Sequence, residues 1–144
     1  MDRAPNTFTV TLTRTIAASP EQAYDAWLNA DVPGTPWNAA TKLILDVKPD
    51  GMFFMRMNDT PHYGRFTELE RGRGIQHTWM SPYTEGYESQ VAVTFTKKGH
   101  DTEMRLVHSG LPESDRGRAH QNGWTFFMDS FPAHFAAQAQ VRNG

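Results

Sequence analysis

The sequence predicts an α+β domain in which a seven-stranded, curved antiparallel sheet wraps a long C-terminal helix over an internal apolar cavity. Three observations carry this. Thr7, Thr9, Thr11, Thr13 and Thr15 alternate with Phe8, Val10, Leu12, Arg14 and Ile16, a period of two that makes a strand wet on one face and buried on the other. Six further strand-like segments then follow one another across short turn segments, so neighbours pair as hairpins. Near the end, Trp124, Phe127, Met128, Phe131 and Phe135 recur at spacings of three and four, the signature of a helix with one broad aromatic stripe.

In chain order, the first strand covers residues 7–16. A helix follows with a written start: Ser19 as N-cap, Pro20 at N1 and Gln22 at N3, completing a capping box. Ala23, Ala26 and Trp27 share its buried stripe, and Pro33-Gly34 ends it. A short helical turn is expected around Thr35–Ala40, carrying Trp37. The six strands are expected at Thr41–Val47, Met52–Asn58, His62–Glu70, Gly74–Met80, Tyr87–Lys97 and Thr102–Ser109. The breaks are Pro49-Asp50-Gly51, Asp59-Thr60-Pro61, Arg71-Gly72-Arg73, Ser81–Gly86 and Lys98–Asp101. The last helix is expected over about Ser114–Arg142. Pro132 inside it removes a backbone bond, which predicts a kink near Met128–Pro132.

Composition bounds the function. The 144 residues read as one domain, 1–144, without repeats or linkers. Hydrophobic residues are 38%, low for so large a core, and the shortfall is met by 12% aromatics and seven Met, which fill irregular interiors. A net charge of −2 lacks the basic footprint of a nucleic-acid binder, and no segment reaches the roughly 20 apolar residues of a membrane span. With no cysteine, disulfides, thiolate zinc sites and a cysteine nucleophile are excluded. The six His show no zinc-like spacing, and no cofactor motif is present, so the expectation is no metal and no cofactor. A cytoplasmic location is the default expectation.

Thr13-Arg14-Thr15-Ile16-Ala17-Ala18-Ser19-Pro20-Glu21-Gln22-Ala23-Tyr24-Asp25-Ala26-Trp27 resembles the opening of the START/birch-pollen-allergen superfamily, SRPBCC, whose architecture is the helix-grip fold. Within it, the chain resembles the branch named for the activator of the ninety-kilodalton heat-shock chaperone's ATPase. Trp37, Gly51-Met52-Phe53, Gly64-Arg65-Phe66-Thr67-Glu68, Thr78-Trp79, the segment Thr102–Gly110 and His120-Gln121-Asn122-Gly123-Trp124 also match, in order, from about Phe8 to Phe135. The resemblance implies the fold. It leaves the role open, because the superfamily includes lipid carriers, hormone receptors and polyketide cyclases.

Hairpin arithmetic orders the inner face. A turn at Lys98–Asp101 pairs Phe95 with Met104, Val93 with Leu106 and Val91 with His108. The next connection pairs Ile75 with Val91, placing His77 and Trp79 on the same face. The Arg71–Arg73 turn then pairs Glu70 with Ile75, Glu68 with His77 and Phe66 with Trp79, and the next turn brings in Phe53, Met55 and Met57. An apolar face with a few convergent polar groups is the usual form of a small-molecule site. The expected ligand-binding set is therefore Arg14, Trp37, Phe53, Met55, Phe66, Glu68, His77, Trp79, Val91, Val93, Leu106, His108, Trp124 and Met128. Trp124 and Met128 are expected to roof the cavity. The leading expectation is a carrier or sensor for a small apolar or amphipathic molecule. The rivals are a cyclase/aromatase- or hydrolase-like enzyme, with Glu68 and His77 as acid–base pair and Arg14 polarising a carbonyl, and a protein-interaction domain. Homodimerisation is left open.

Overall fold

The computed structural model describes residues 3–143. The chain runs β1 (Thr7–Ile16), α1 (Pro20–Trp27), α2 (Pro36–Ala39), β2 (Lys42–Leu45), β3 (Met52–Met57), β4 (Thr60–Glu70), β5 (Gly74–Trp79), a 3-10 turn (Pro82–Thr84), β6 (Ser89–Lys98), β7 (Asp101–Pro112) and α3 (Asp115–Asn143). The sheet order is β1-β7-β6-β5-β4-β3-β2, antiparallel at every pairing. β2 and β1 are its edges, and α3 packs back against β1 and β7. No described helix is long and apolar enough to cross a membrane.

Local chemistry explains the elements. The Ser19 hydroxyl accepts from the Gln22 N–H while the Gln22 side chain accepts from the Ser19 N–H, the reciprocal box expected for α1. Thr35 caps α2 one way, its hydroxyl accepting from the Asn38 N–H. α3 continues through Pro132 as one helix, giving up the bond the missing N–H would have made.

Three connections differ from the sequence reading. The β3–β4 hairpin turns on Asn58 and Asp59 alone, at φ 51° and 61°, because Asn and Asp tolerate the left-handed region that a two-residue turn demands. β4 therefore starts at Thr60, two residues early. Ile75 pairs with Val93 and His77 with Val91, a two-residue offset that keeps every side chain on its expected face. The third difference changes a face. Leu69 pairs with Ile75, Glu68 with Gln76 and Phe66 with His77, with a bulge between Phe66 and Glu68. The tighter turn shifts register by one, which reverses the faces, and the bulge shifts it by one more, which restores them. Phe66 stays inside, whereas Thr67 and Glu68 both face solvent.

The core is aromatic. Trp27 meets Phe131 edge-on at 5.1 Å between ring centres, and Trp37 meets Phe53 at 4.9 Å. Met55, Phe66, Val93, Leu106 and Met128 have no accessible surface at all, so no space as large as a water adjoins them.

Candidate binding pocket

A mostly apolar pocket lies at one end of this core, between the tip of the β3–β4 hairpin and the N-terminal half of α3. It has a volume of about 260 Å³. Met57, Trp79, Tyr83, Trp124 and Phe127 supply its apolar walls. Asn58, Thr60, His62 and His120 are its polar members, and Ala119 and Gly123 leave room along the helix. Its lining holds no Asp, Glu, Lys or Arg. A wider depression at the other end of β4, lined with Glu21, Arg71, Arg73, Lys97 and Asp101, is a charged surface.

Secondary structure places each polar group. His62 follows the inward alternation of β4 through Gly64 and Phe66, and all three are buried. A side chain at Gly64 would strike the Phe53 ring at 2.2 Å, so the glycine lets β4 close over that ring. His120 lies one helical turn before Trp124, on the same stripe of α3. The His62 Nδ1–H donates to the Thr60 carbonyl at 3.0 Å, and the His120 Nδ1–H donates to the Gly117 carbonyl at 2.9 Å.

Beneath the pocket a hydrogen-bond chain fixes His108. An indole N–H can only donate, so Trp124 Nε1, 2.8 Å from His108 Nδ1, makes that nitrogen the acceptor. The imidazole proton therefore sits on Nε2 and donates to Ser89 Oγ at 2.7 Å. The Ser89 hydroxyl donates onward to the Trp79 carbonyl at 2.6 Å. A second proton on His108 would break the Trp124 bond. Burial holds its pKa well below the ordinary histidine value, and nearby His120 and His77 add to the effect.

The other buried histidines are also held neutral. Burial pushes His62 and His77 each down to about 4, against the opposing pull of the Thr60 and Thr78 carbonyls. His120 is lowered by burial, against the Gly117 and Arg116 carbonyls. The pocket wall thus carries no fixed charge at neutral pH.

Of the residues expected at a site, the structure brings Trp79 and Trp124 to the pocket, with His108 immediately behind them. Phe53, Met55, Phe66, Val91, Val93, Leu106, Met128 and Trp37 are packed core. His77 is boxed by Phe53, Phe66, Trp37 and Trp79, with ring centres 5.2–6.0 Å away. Arg14 lies outside, where its Nε donates to Asp129 at 2.8 Å and ties β1 to α3. The expected Glu68–His77 pair does not form: Glu68 is exposed and sits opposite Gln76. Asn58, Thr60, His62, Tyr83 and His120 line the pocket but lie outside the set expected from the sequence. For the two histidines the signal was present, since His62 shares the parity of Phe66 and His120 lies four residues before Trp124.

A model of the family described as "Activator of Hsp90 ATPase homolog 1-like protein" matches residues 17–136. "Activator of 90 kDa heat shock protein ATPase homolog 1" of Mus musculus is 25% identical over 133 residues, which are 92% of this chain but 38% of that protein. The chain thus spans under two-fifths of that relative's length. Among solved structures, protein CV1439 from Chromobacterium violaceum superposes with a TM-score of 0.72 at 19% identity, over 88% of this chain and 96% of that one. An HSP90 activator from Plasmodium falciparum gives 0.68 at 24% identity, over 85% and 89%. These likenesses show the shared helix-grip architecture.

Proposed function

This chain belongs to the Activator of Hsp90 ATPase homolog 1-like family, and from that premise we propose that it binds a small, uncharged, ring-sized molecule in the pocket between the β3–β4 hairpin and α3. The observation that carries the reading is the lining: aromatic walls, a few convergent polar groups and no charged side chain. The volume of about 260 Å³ suits one or two rings, since a 150 Å³ apolar cavity already admits benzene. Gly123 offers the test. Gly123 borders the chamber, and a Cβ built there meets nothing within 4 Å, so Gly123→Leu adds bulk at the pocket wall without a clash. Removing a helical glycine also raises helix propensity, by up to about 1 kcal/mol. The variant should keep or raise the melting temperature while losing uptake of naphthalene, followed by calorimetry. Undiminished uptake would place binding elsewhere.

A second reading, a protein-docking surface, is favoured by a separate observation. On the outer face, Ile44 pairs with Phe54 and Phe54 with Tyr63, an apolar row ending at the edge strand β2. Ile44 and neighbouring Met52 are each 62% exposed. The mouse relative is named for activating the 90 kDa heat shock protein's ATPase and the Plasmodium one is an HSP90 activator, so a chaperone ATPase is the partner this reading supplies. If this reading holds, Ile44→Lys should abolish stimulation of purified Hsp90 ATPase and leave naphthalene uptake intact. Wild-type protein that stimulates nothing would remove the reading.

A further inference from the structure

We infer that the occupant of the pocket is a neutral ring compound carrying a hydrogen-bond donor, such as a phenolic or alcoholic hydroxyl, received by the Nε2 lone pair of His62 or of His120. The inference rests on the pocket being a ligand site and narrows its ligand to a chemical class. A carbonyl can only accept, so the Thr60 and Gly117 carbonyls fix the proton of each ring on Nδ1. A neutral imidazole has one N–H, which leaves Nε2 of both residues as an acceptor. Among the described residues, neither Nε2 has a hydrogen-bond partner. Both rings line the same chamber.

Two acceptors in one mostly apolar chamber discriminate strongly. A hydroxyl, with its one proton, satisfies one of them and can itself accept from a neighbouring donor. An ether oxygen of similar shape places lone pair against lone pair and leaves the histidines desolvated and unpaired. Asn58, Thr60 and Tyr83 can donate as well as accept and serve hydroxyl and ether alike, and the unpartnered Trp79 indole N–H is buried out of a guest's reach, so none of them reverses this preference. An anion would need a cationic wall, but the lining has no Lys or Arg and burial opposes the imidazolium forms. An ammonium ligand would find no carboxylate there.

The test uses 2-naphthol and 2-methoxynaphthalene, titrated by calorimetry into the wild-type chain, His62→Phe and His120→Phe. Phenylalanine keeps a ring against Trp79 or His108 but removes the acceptor. The wild type should prefer 2-naphthol by about ten-fold or more. At least one variant should lower that ratio, chiefly by weakening 2-naphthol and not the ether, and a ratio unchanged in both would overturn the inference. Equal affinity of the wild type for the two probes would overturn the donor inference and leave the ligand site standing. Failure of both probes to bind would overturn the site and the inference together. Should a variant not fold, imidazole ¹⁵N resonances of the wild type decide: Nε2 should shift with 2-naphthol and not with the ether. Unmoved Nε2 resonances in the naphthol-saturated protein would overturn the inference.

Discussion

Trp124 joins three parts of the molecule through one side chain. Its ring is 3% exposed, lies 5.1 Å from Trp79 and 6.5 Å from Trp27 between ring centres, and its Nε1–H is taken by His108. Trp124→Ala should therefore cost about 3–5 kcal/mol in urea unfolding, since it opens a cavity and leaves His108 Nδ1 without its donor. A loss below about 1 kcal/mol would mean that α3 is not anchored by this ring. Glu68 provides the contrast. It is exposed, so Glu68→Gln should change stability by less than about 0.5 kcal/mol and leave naphthalene uptake unaltered. An acid–base role at this position would require a side chain that reaches His77, and the bulge turns it the other way.

At the scale of the element, the bulge in β4 separates what the sequence could tell from what it could not. Hydrophobic period and turn residues were enough for seven strands, three helices and the inner face of β6 and β7, where Val91, Val93, Phe95, Met104, Leu106 and His108 pair as expected. They did not deliver the β4–β5 register, because a three-residue turn and a bulge compensate each other and leave Phe66 inside either way. The spacing held one clue: Phe66 and Leu69 both belong to the inner face, and three residues apart is not a strand repeat. The pocket was legible only in part, because the ends of strands decide where packed core stops, and hydropathy does not fix where ends lie. The bulge predicts an unusual tolerance. Deleting Thr67 should restore regular alternation, with Phe66 in, Glu68 out and Leu69 in, and should cost less than about 2 kcal/mol. Deleting Thr94 from unbulged β6 should instead flip the rest of that strand and prevent folding. Circular dichroism and urea melts of the two deletions would check the difference, and equal damage from both would contradict the pairing described.

For the molecule as a whole, the buried histidines make stability depend on pH. The folded chain holds His62 and His77 neutral down to about pH 4, whereas the unfolded chain protonates them near 6.5. Between those values the unfolded state binds more protons, so stability is full above about pH 6.5 and falls as pH drops toward 4. The loss is roughly 3 kcal/mol for each of the two. Against a typical total of about 5–15 kcal/mol, that brings acid unfolding into the range of pH 4–5.5. Urea melts between pH 7 and 4 would measure the slope, and His62→Phe should flatten it; an unchanged slope would mean that other groups carry the acid sensitivity. The indoles that knit α1, α3 and β5 together have an optical consequence as well. Chromophores as near as Trp79 and Trp124 share their excited states, so the folded chain should show a split pair of bands of opposite sign in the ultraviolet, where an isolated indole gives one. Trp124→Phe should collapse the pair to a single band. Because both rings wall the pocket, an aromatic guest would perturb the same bands, giving a readout of occupancy that needs no label.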